Sequence, residues 1–433
     1  MKTIKLTSLL MAMVMALGMY STTLAAEPKG EIKNEGIKIE EKAKGAQTMG
    51  ELVFQSDNSD FLPLDQTWQN HRLWGSDRFD TANAVADEFI KTNAELGEVN
   101  KDYPDTAVTP VDTVILANAF DFPDALCATP LSKVANAPIL LTQAEYLNEK
   151  TARQIRKMNI KNVIIVGGEG VVKNEVIADL IKQCDINDEN IIRLGSETRY
   201  TTSYEIATHT MRLLEAKGQK IKEVVLMDGF KWQSALVTAP IAARNNMPVL
   251  LVPKTRDGWD GLNIKQWFEY MGLDSVETLL LGNQEAGEVP AEVLKEFIPH
   301  IEGDMFIPNG GIFATEYINQ FDCIHAMRNR GYVGAPTSVF MANGNVFADA
   351  LTVGALASKK DSYIMLPCQP SEHENDYINK ELVKYKPYGY TVDDFKQIVA
   401  DQVRGNAYKV SHVYYTGGEA VISESSGERL LRK

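Results

Sequence analysis

The sequence predicts an α/β fold built from three tandem, doubly wound modules with parallel sheets. Two observations carry this. From Asn70 onward, short and almost wholly apolar runs alternate with amphipathic helical stretches, and continuous apolar strands need parallel pairing with both faces covered. The same order of runs then occurs three times at a spacing of about 110 to 125 residues, which is the size of a small domain and too long for a solenoid unit.

The amino-terminal segment, residues 1–26, has Lys2 and Lys5, an apolar run from Leu9 to Met19 and small residues at Thr23–Ala26. That is the order of a secretory signal peptide. Its apolar run is short for a bilayer span and no cysteine stands at the cleavage region, so neither a transmembrane nor a lipid anchor is expected. Residues 27–69, with the stretch EPKGEIKNEGIKIEEKAKGAQ, are rich in Glu, Lys and Gly. They lack the apolar surface that would offset ordering entropy and read as a flexible leader.

Three modules follow, over residues 70–189, 190–303 and 304–433. The middle one is the plainest. Strands are expected at Asn190–Leu194, Glu223–Asp228, Met247–Val252 and Val276–Gly282, and helices at Thr202–Ala216, Ser234–Asn245, Ile264–Met271 and Ala291–Ile298. Four landmarks register the copies. RLWGSDRFDTANAVA from Arg72 returns as RLGSETRYTTSYEIA from Arg193 and, more loosely, as NGGIFATEYI from Asn309. Asp-Ala-Leu at Asp124 returns as Ser234-Ala-Leu and Asp349-Ala-Leu, and the strand PILLT from Pro138 returns as PVLLV and YIMLP. NVIIVGGEGVV from Asn162 returns as TLLLGNQEA and HVYYTGGEAVI. The third copy departs most, with Ile312 at the position of Arg78 and Arg199.

Charge and motif content exclude several function classes. The net charge of −14 becomes −16 once a signal peptide with two lysines and no acid is removed, which argues against nucleic-acid binding. Cys127, Cys184, Cys323 and Cys368 form no C-x-x-C pair and read as buried thiols rather than a zinc site or disulfide framework. No H-E-x-x-H or G-x-S-x-G occurs, and His71, His209, His300, His325, His373 and His412 share no repeat position. Gly167-Gly168 and Gly417-Gly418 do not complete G-x-G-x-x-G, so they read as strand-to-helix turns and no cofactor is expected.

Asp124, Ser234 and Asp349 each stand before an Ala-Leu helix start and are expected to cap it. The small residues behind them, Ala125, Ala128, Ala235, Ala239, Ala350 and Ala357, are expected to let each helix lie close on its sheet. Arg72, Arg78, Arg193 and Arg199 fall at the carboxyl end of a strand, where open α/β sheets bind ligands. Their guanidinium forks suit carboxylate or phosphate. For Arg78 and Arg199 an anion site and an inter-domain ion pair stand side by side; Arg72 and Arg193 lean towards structure.

Together, R-L-x-G-S-D-R-F-x-T-A, F-P-D-A-L-x-A-x-P-L, P-I-L-L-T and V-G-G-x-x-x-V, as they stand in the first copy, resemble the type 2 cell wall binding repeat family. The resemblance covers about residues 70–425. It implies three Rossmann- or flavodoxin-like modules about a pseudo-threefold axis on a secreted Gram-positive surface protein. It further implies non-covalent attachment to an anionic, teichoic-acid-like secondary polymer of the cell wall, beside other surface-layer proteins. In the family the I-L-L strand is associated with anchoring; here it is Ile139, Leu140 and Leu141, then Val249, Leu250 and Leu251, then Ile364, Met365 and Leu366. Read from the residues alone, these are sheet core. An acidic protein can hold an acidic polymer through local arginines or through bridging divalent cations. The rival readings are a cell-wall hydrolase with a site between modules and a secreted small-molecule receptor.

Overall fold

The computed structural model describes residues 67–99, 110–121, 123–125, 127–221, 223–229, 232–253, 264–273, 277–281, 331–332, 336–344, 347–366 and 410–425, with 324 and 327. The expected signal peptide, residues 27–66 of the leader, the helix over Ala291–Ile298, Gly282-Asn283, Ile312, Cys323, Cys368, His300, His325 and His373 lie outside these residues.

The first repeat runs β1 (Gln69–Leu73), α1 (Arg78–Val99), β2 (Thr113–Asn118), α2 (Ala128–Ala135), β3 (Ile139–Thr142), α3 (Glu149–Lys157), β4 (Asn162–Val166) and α4 (Asn174–Cys184). The second runs β5 (Ile191–Leu194), α5 (Arg199–Ala216), β6 (Glu223–Asp228), α6 (Trp232–Arg244), β7 (Val249–Val252), α7 (Ile264–Tyr270) and β8 (Glu277–Leu281). Described parts of the third are β9 (Ser338–Ala342), α8 (Phe347–Lys359), β10 (Tyr363–Met365) and β11 (His412–Thr416).

Local chemistry sets the helix limits. Asp77 starts α1 by accepting the N–H groups of Phe79 and Asp80 at 3.0 Å each, and Thr198 starts α5 through a capping box with Thr201. Asn136, Asp185, Asn246 and Asp361 end α2, α4, α6 and α8 in the left-handed region, with φ of 53°, 57°, 57° and 55°. These residue types tolerate that region best after glycine.

Each apolar run becomes a parallel strand covered by helices. Leu116, Leu140 and Ile165 of one sheet pack with Ile155 of α3 and with Val176 and Leu180 of α4. In the second repeat, Val224, Leu226 and Leu250 pack with Tyr204 and Met211 of α5 and Phe268 of α7. Cys127 and Cys184 are buried free thiols.

Three sheets share one strand order: β3-β2-β4-β5, β7-β6-β8 and β10-β9-β11-β1. Sheet membership crosses the repeat boundaries. Strand β5, which the sequence assigns to the second copy, pairs in parallel with β4 of the first, Val163 opposite Ile191. Strand β1 likewise pairs with β11 of the third, Gln69 opposite His412. Alternation of apolar residues identifies a strand, but it does not say which edge the strand will cover.

Helices α2, α6 and α8 pack against one another, one from each repeat. The small residues repeated in these helices were expected to serve helix-on-sheet packing; they also admit this closer approach of helix to helix. At Gly354 of α8 a Cβ would stand 2.4 Å from Thr129 Oγ1 of α2. All of Ala348–Ser358 is buried.

Two measurements check this. A chain shortened to begin at residue 75 should lose amide-exchange protection along β11 while β2, whose sheet it leaves untouched, keeps its own. Gly354→Ala should lower stability by roughly 1–3 kcal/mol through overpacking, despite a helix-propensity gain of about 1 kcal/mol. Adding Thr129→Ala should recover most of the loss in denaturant melts.

Candidate functional site

At the end of each exchanged strand an arginine fastens it to the neighbouring repeat. Arg193 donates from Nη1 to the carbonyls of Gly167 (3.0 Å) and Val172 (2.7 Å), and from Nη2 to Asn174 Oδ1 (3.1 Å). Arg72 repeats the pattern on β11's turn. Its Nη1 donates to the carbonyls of Gly417 (3.0 Å) and Ile422 (2.9 Å), and its Nη2 meets the Glu419 carboxylate. The two Gly-Gly pairs are therefore turns closed by a neighbour's arginine. Their first glycines have φ of +116° and +109°, a region that strains other residues.

Six residues further on, Arg78 and Arg199 face the junction itself. Arg78 Nη1 donates to the Ala119 carbonyl at 2.6 Å, and Arg199 Nη1 to the Gly229 carbonyl at 3.0 Å. Each also acts electrostatically on a buried aspartate of the preceding repeat in cyclic order, Arg78 on Asp349 and Arg199 on Asp124. Burial pushes the Asp349 carboxyl up to about 6, against the pull of Arg78. Burial and then Asp121 push Asp124 up, while an N–H from Gly168 and the Arg199 charge pull it down.

These aspartates are not helix caps in the expected sense. Asp349 is the third residue of α8, which begins at Phe347, and Ser234 is the third residue of α6, which begins at Trp232. Asp124 sits in a 3-10 turn, and the residue capping α2 is Cys127, whose side chain makes no capping bond. The carboxylates instead brace the glycine turns. Asp124 accepts the Gly168 N–H, and a Cβ on Gly417 would lie 2.7 Å from Asp349 Oδ2.

This pairing explains the departures in the third copy. Arginine of one repeat meets aspartate of the repeat before it, so the junction between second and third repeats corresponds, by sequence register, to positions 312 and 234. There the chain has Ile312 and Ser234. Neither residue that the sequence register matches to the Arg–Asp pair is charged.

Sequence reasoning passed over two exposed aromatics, one beside Arg78 and one at the Gly417-Gly418 turn. The Arg78 guanidinium carbon lies 4.4 Å from the Phe120 ring centroid. Phe120 is 55% exposed and Trp74, beside Gly418, is 56% exposed. Repetition gave no signal for Trp74, because its counterpart in the second copy is Gly195.

The I-L-L strand residues stand elsewhere. Ile139, Leu140, Leu141, Val249, Leu250, Leu251, Ile364, Met365 and Leu366 are all buried to within 1%. Their side chains form the interior of the three sheets, as read from the residues alone. Histidines with no shared repeat position also converge: His71 Nε2 and His412 Nδ1 lie 3.0 Å apart at the β1–β11 seam. Burial first, then His412, lowers the His71 pKa. Among the described residues no group of three or more His, Cys, Asp or Glu is placed to hold a metal ion, and no helix is long and apolar enough to cross a membrane.

The cell wall binding domain 2 pattern matches residues 72–177, 193–288 and 313–426. The chain belongs to that family. Its three matched segments make it a cell wall binding chain, in agreement with the motif resemblance. It is similar to the amidase enhancer of Bacillus subtilis (strain 168), 29% identical over 265 residues, or 60% of this chain and 32% of that protein. It is also similar to the N-acetylmuramoyl-L-alanine amidase LytC of the same organism, 30% identical over 184 residues, or 42% of this chain and 31% of that protein. Among solved structures, Cwp6 from Clostridium difficile superposes with a TM-score of 0.60 at 16% identity, covering 85% of this chain and 48% of that one. Cwp8 from the same organism gives 0.57 at 18%, covering 84% and 51%. The chain thus spans under a third of the two curated relatives and about half of the two solved structures. The structural likeness supports the mixed α/β fold with parallel sheets.

The elevated Asp349 pKa has a signed consequence. Between the ordinary 3.8 and about 6 the folded chain holds a proton there that the unfolded chain has released. Stability from this group is therefore full below the window and falls as pH rises through it, by about 3 kcal/mol. Asp349→Asn lacks this drop. Its melting temperature relative to the parent should rise between about pH 4 and pH 7 in parallel thermal melts.

Proposed function

We propose that this cell wall binding chain anchors non-covalently to an anionic, teichoic-acid-like secondary polymer, as a secreted, surface-located and non-enzymatic protein. The proposal includes cleavage of residues 1–26 as a signal peptide and neighbouring surface-layer proteins as partners. The observation that carries the polymer reading is the Arg78 junction. A guanidinium with one hydrogen bond among the described residues lies over the half-exposed ring of Phe120. Aromatic faces suit the apolar faces of sugar rings, and the remaining guanidinium donors suit an acidic substituent.

Arg72 and Arg193 serve this reading indirectly, since their donors go to turn carbonyls. Arg199 marks a second, less aromatic junction. We propose further that the three modules, taken as residues 70–189, 190–303 and 304–433, stand about a pseudo-threefold axis. The common strand order and the mutual packing of α2, α6 and α8 support it.

Co-sedimentation with wall sacculi, before and after acid extraction of phosphate-linked polymers, tests the reading. Binding should vanish on extraction and fall roughly tenfold in Arg78→Ala and in Phe120→Ala, with thermal melts confirming that both variants fold. Binding that survives extraction would transfer the site to peptidoglycan, and no sedimentation in any arm would sink the anchor reading.

A further inference from the structure

On a chain of net charge −14, three lysine amines gather where all three repeats meet. Lys133 lies in the last turn of α2, Lys217 follows α5 and Lys359 ends α8. Lys133 Nζ donates to Asn246 Oδ1 at 3.0 Å and Lys217 Nζ to the Val134 carbonyl at 2.5 Å. Lys359 Nζ donates to Asn136 Oδ1 at 2.7 Å and Asn93 Oδ1 at 3.0 Å. Every one of these acceptors is neutral.

Neighbouring cations differ. Lys360 pairs with Glu88 at 3.3 Å and Arg244 with Asp361 at 2.6 Å, whereas among the described residues no carboxylate pairs with Lys133, Lys217 or Lys359. The positive charge of the trio is felt within it. Burial, then Lys133 and Lys217, bring Lys359 down to about 8, and burial, then Lys217, lower Lys133. Helix carboxyl ends favour a cation, which accounts for a lysine on one helix but not for three converging from three repeats. Like charges held together are costly unless an anion neutralises them.

The geometry also leaves donors free for such an anion. An ammonium has three; Lys133 and Lys217 use one each, while Lys359 uses two and lies over the Phe89 ring at 4.6 Å, so the free donors are those of Lys133 and Lys217. Beside Asn136 and Lys217 opens a cavity of about 380 Å³. Of the three lysines only Lys217 lines it, together with Asp112, Glu189 and His209.

We propose that Lys133, Lys217 and Lys359 form a binding site for a phosphate-type oxyanion at the meeting point of the three repeats. It is distinct from the arginine junctions and does not depend on the wall reading. The occupant is a free phosphate or a phosphodiester of a polymer.

Titration of the full chain with inorganic phosphate, against chloride at matched ionic strength, tests it by calorimetry and thermal melting. Saturable binding and a rise in melting temperature specific to phosphate are expected. The dissociation constant should weaken roughly tenfold in the exposed-site variant Lys217→Gln and again in Lys359→Met. A phosphate effect no larger than that of chloride, or one undiminished in both variants, overturns the site. Adding the same phosphate to the sacculus assay then identifies the source: release of Arg78→Ala as well as parent chain assigns a polymer phosphodiester, and no release assigns the free ion.

Discussion

The seam between repeats is the constraint on which the rest depends. Strands β1 and β5 complete the sheets of other repeats, so no sheet that receives one is finished by its own repeat alone. Parallel pairing supplies the backbone bonds, and Arg72 and Arg193 add side-chain bonds to the glycine turns on the far side. Those turns in turn are braced by Asp349 and Asp124, which face Arg78 and Arg199. Strand exchange, glycine turn, aspartate and two arginines thus form one connected unit, and substituting any member acts on both repeats at once.

That linkage places the polar cost of the fold at the junctions. Asp349 and Asp124 are 6% and 8% exposed, and desolvation of their charged forms exceeds what their arginines return, since both carboxyls are pushed up. Retaining such groups gives a definite register between repeats at some expense of stability. At the positions that correspond in sequence between the second and third repeats stand Ser234 and Ile312, neither of them charged.

The sequence made the elements legible because their signals are local. PILLT, PVLLV and YIMLP announce buried parallel strands, and Asp77 and Thr198 announce helix starts. The residues of the arginine landmark were legible as a group, but their division of labour was not. Arg72 and Arg193 turn inward to carbonyls, while Arg78 and Arg199 turn to the junction, and that depends on which sheet each opening strand joins. Aspartates taken for caps proved to brace a turn some 45 to 70 residues away in the chain, a relation no local pattern encodes. Trp74, Lys133 and Lys217 escaped notice because each belongs to one repeat alone, and comparison of repeats is blind to such residues; Lys359 has a basic counterpart in Arg244 but no landmark beside it.

Local basic groups would reconcile the proposed anion binding with an acidic chain. At physiological ionic strength charges act over about 8 Å, so an approaching anion responds to the nearest groups and not to the net charge of −14. The arginine junctions lie at the carboxyl ends of strands. The lysine trio lies at the carboxyl ends of the helices that run back along those strands, and therefore at the other edge of the sheets. Two separate positive regions, one with aromatic faces and one with ammonium groups alone, differ in what they can hold. On the two readings proposed, a ring beside a planar guanidinium would suit a sugar bearing an acid, whereas three flexible ammonium groups, being point charges without a face, would respond to charge density alone.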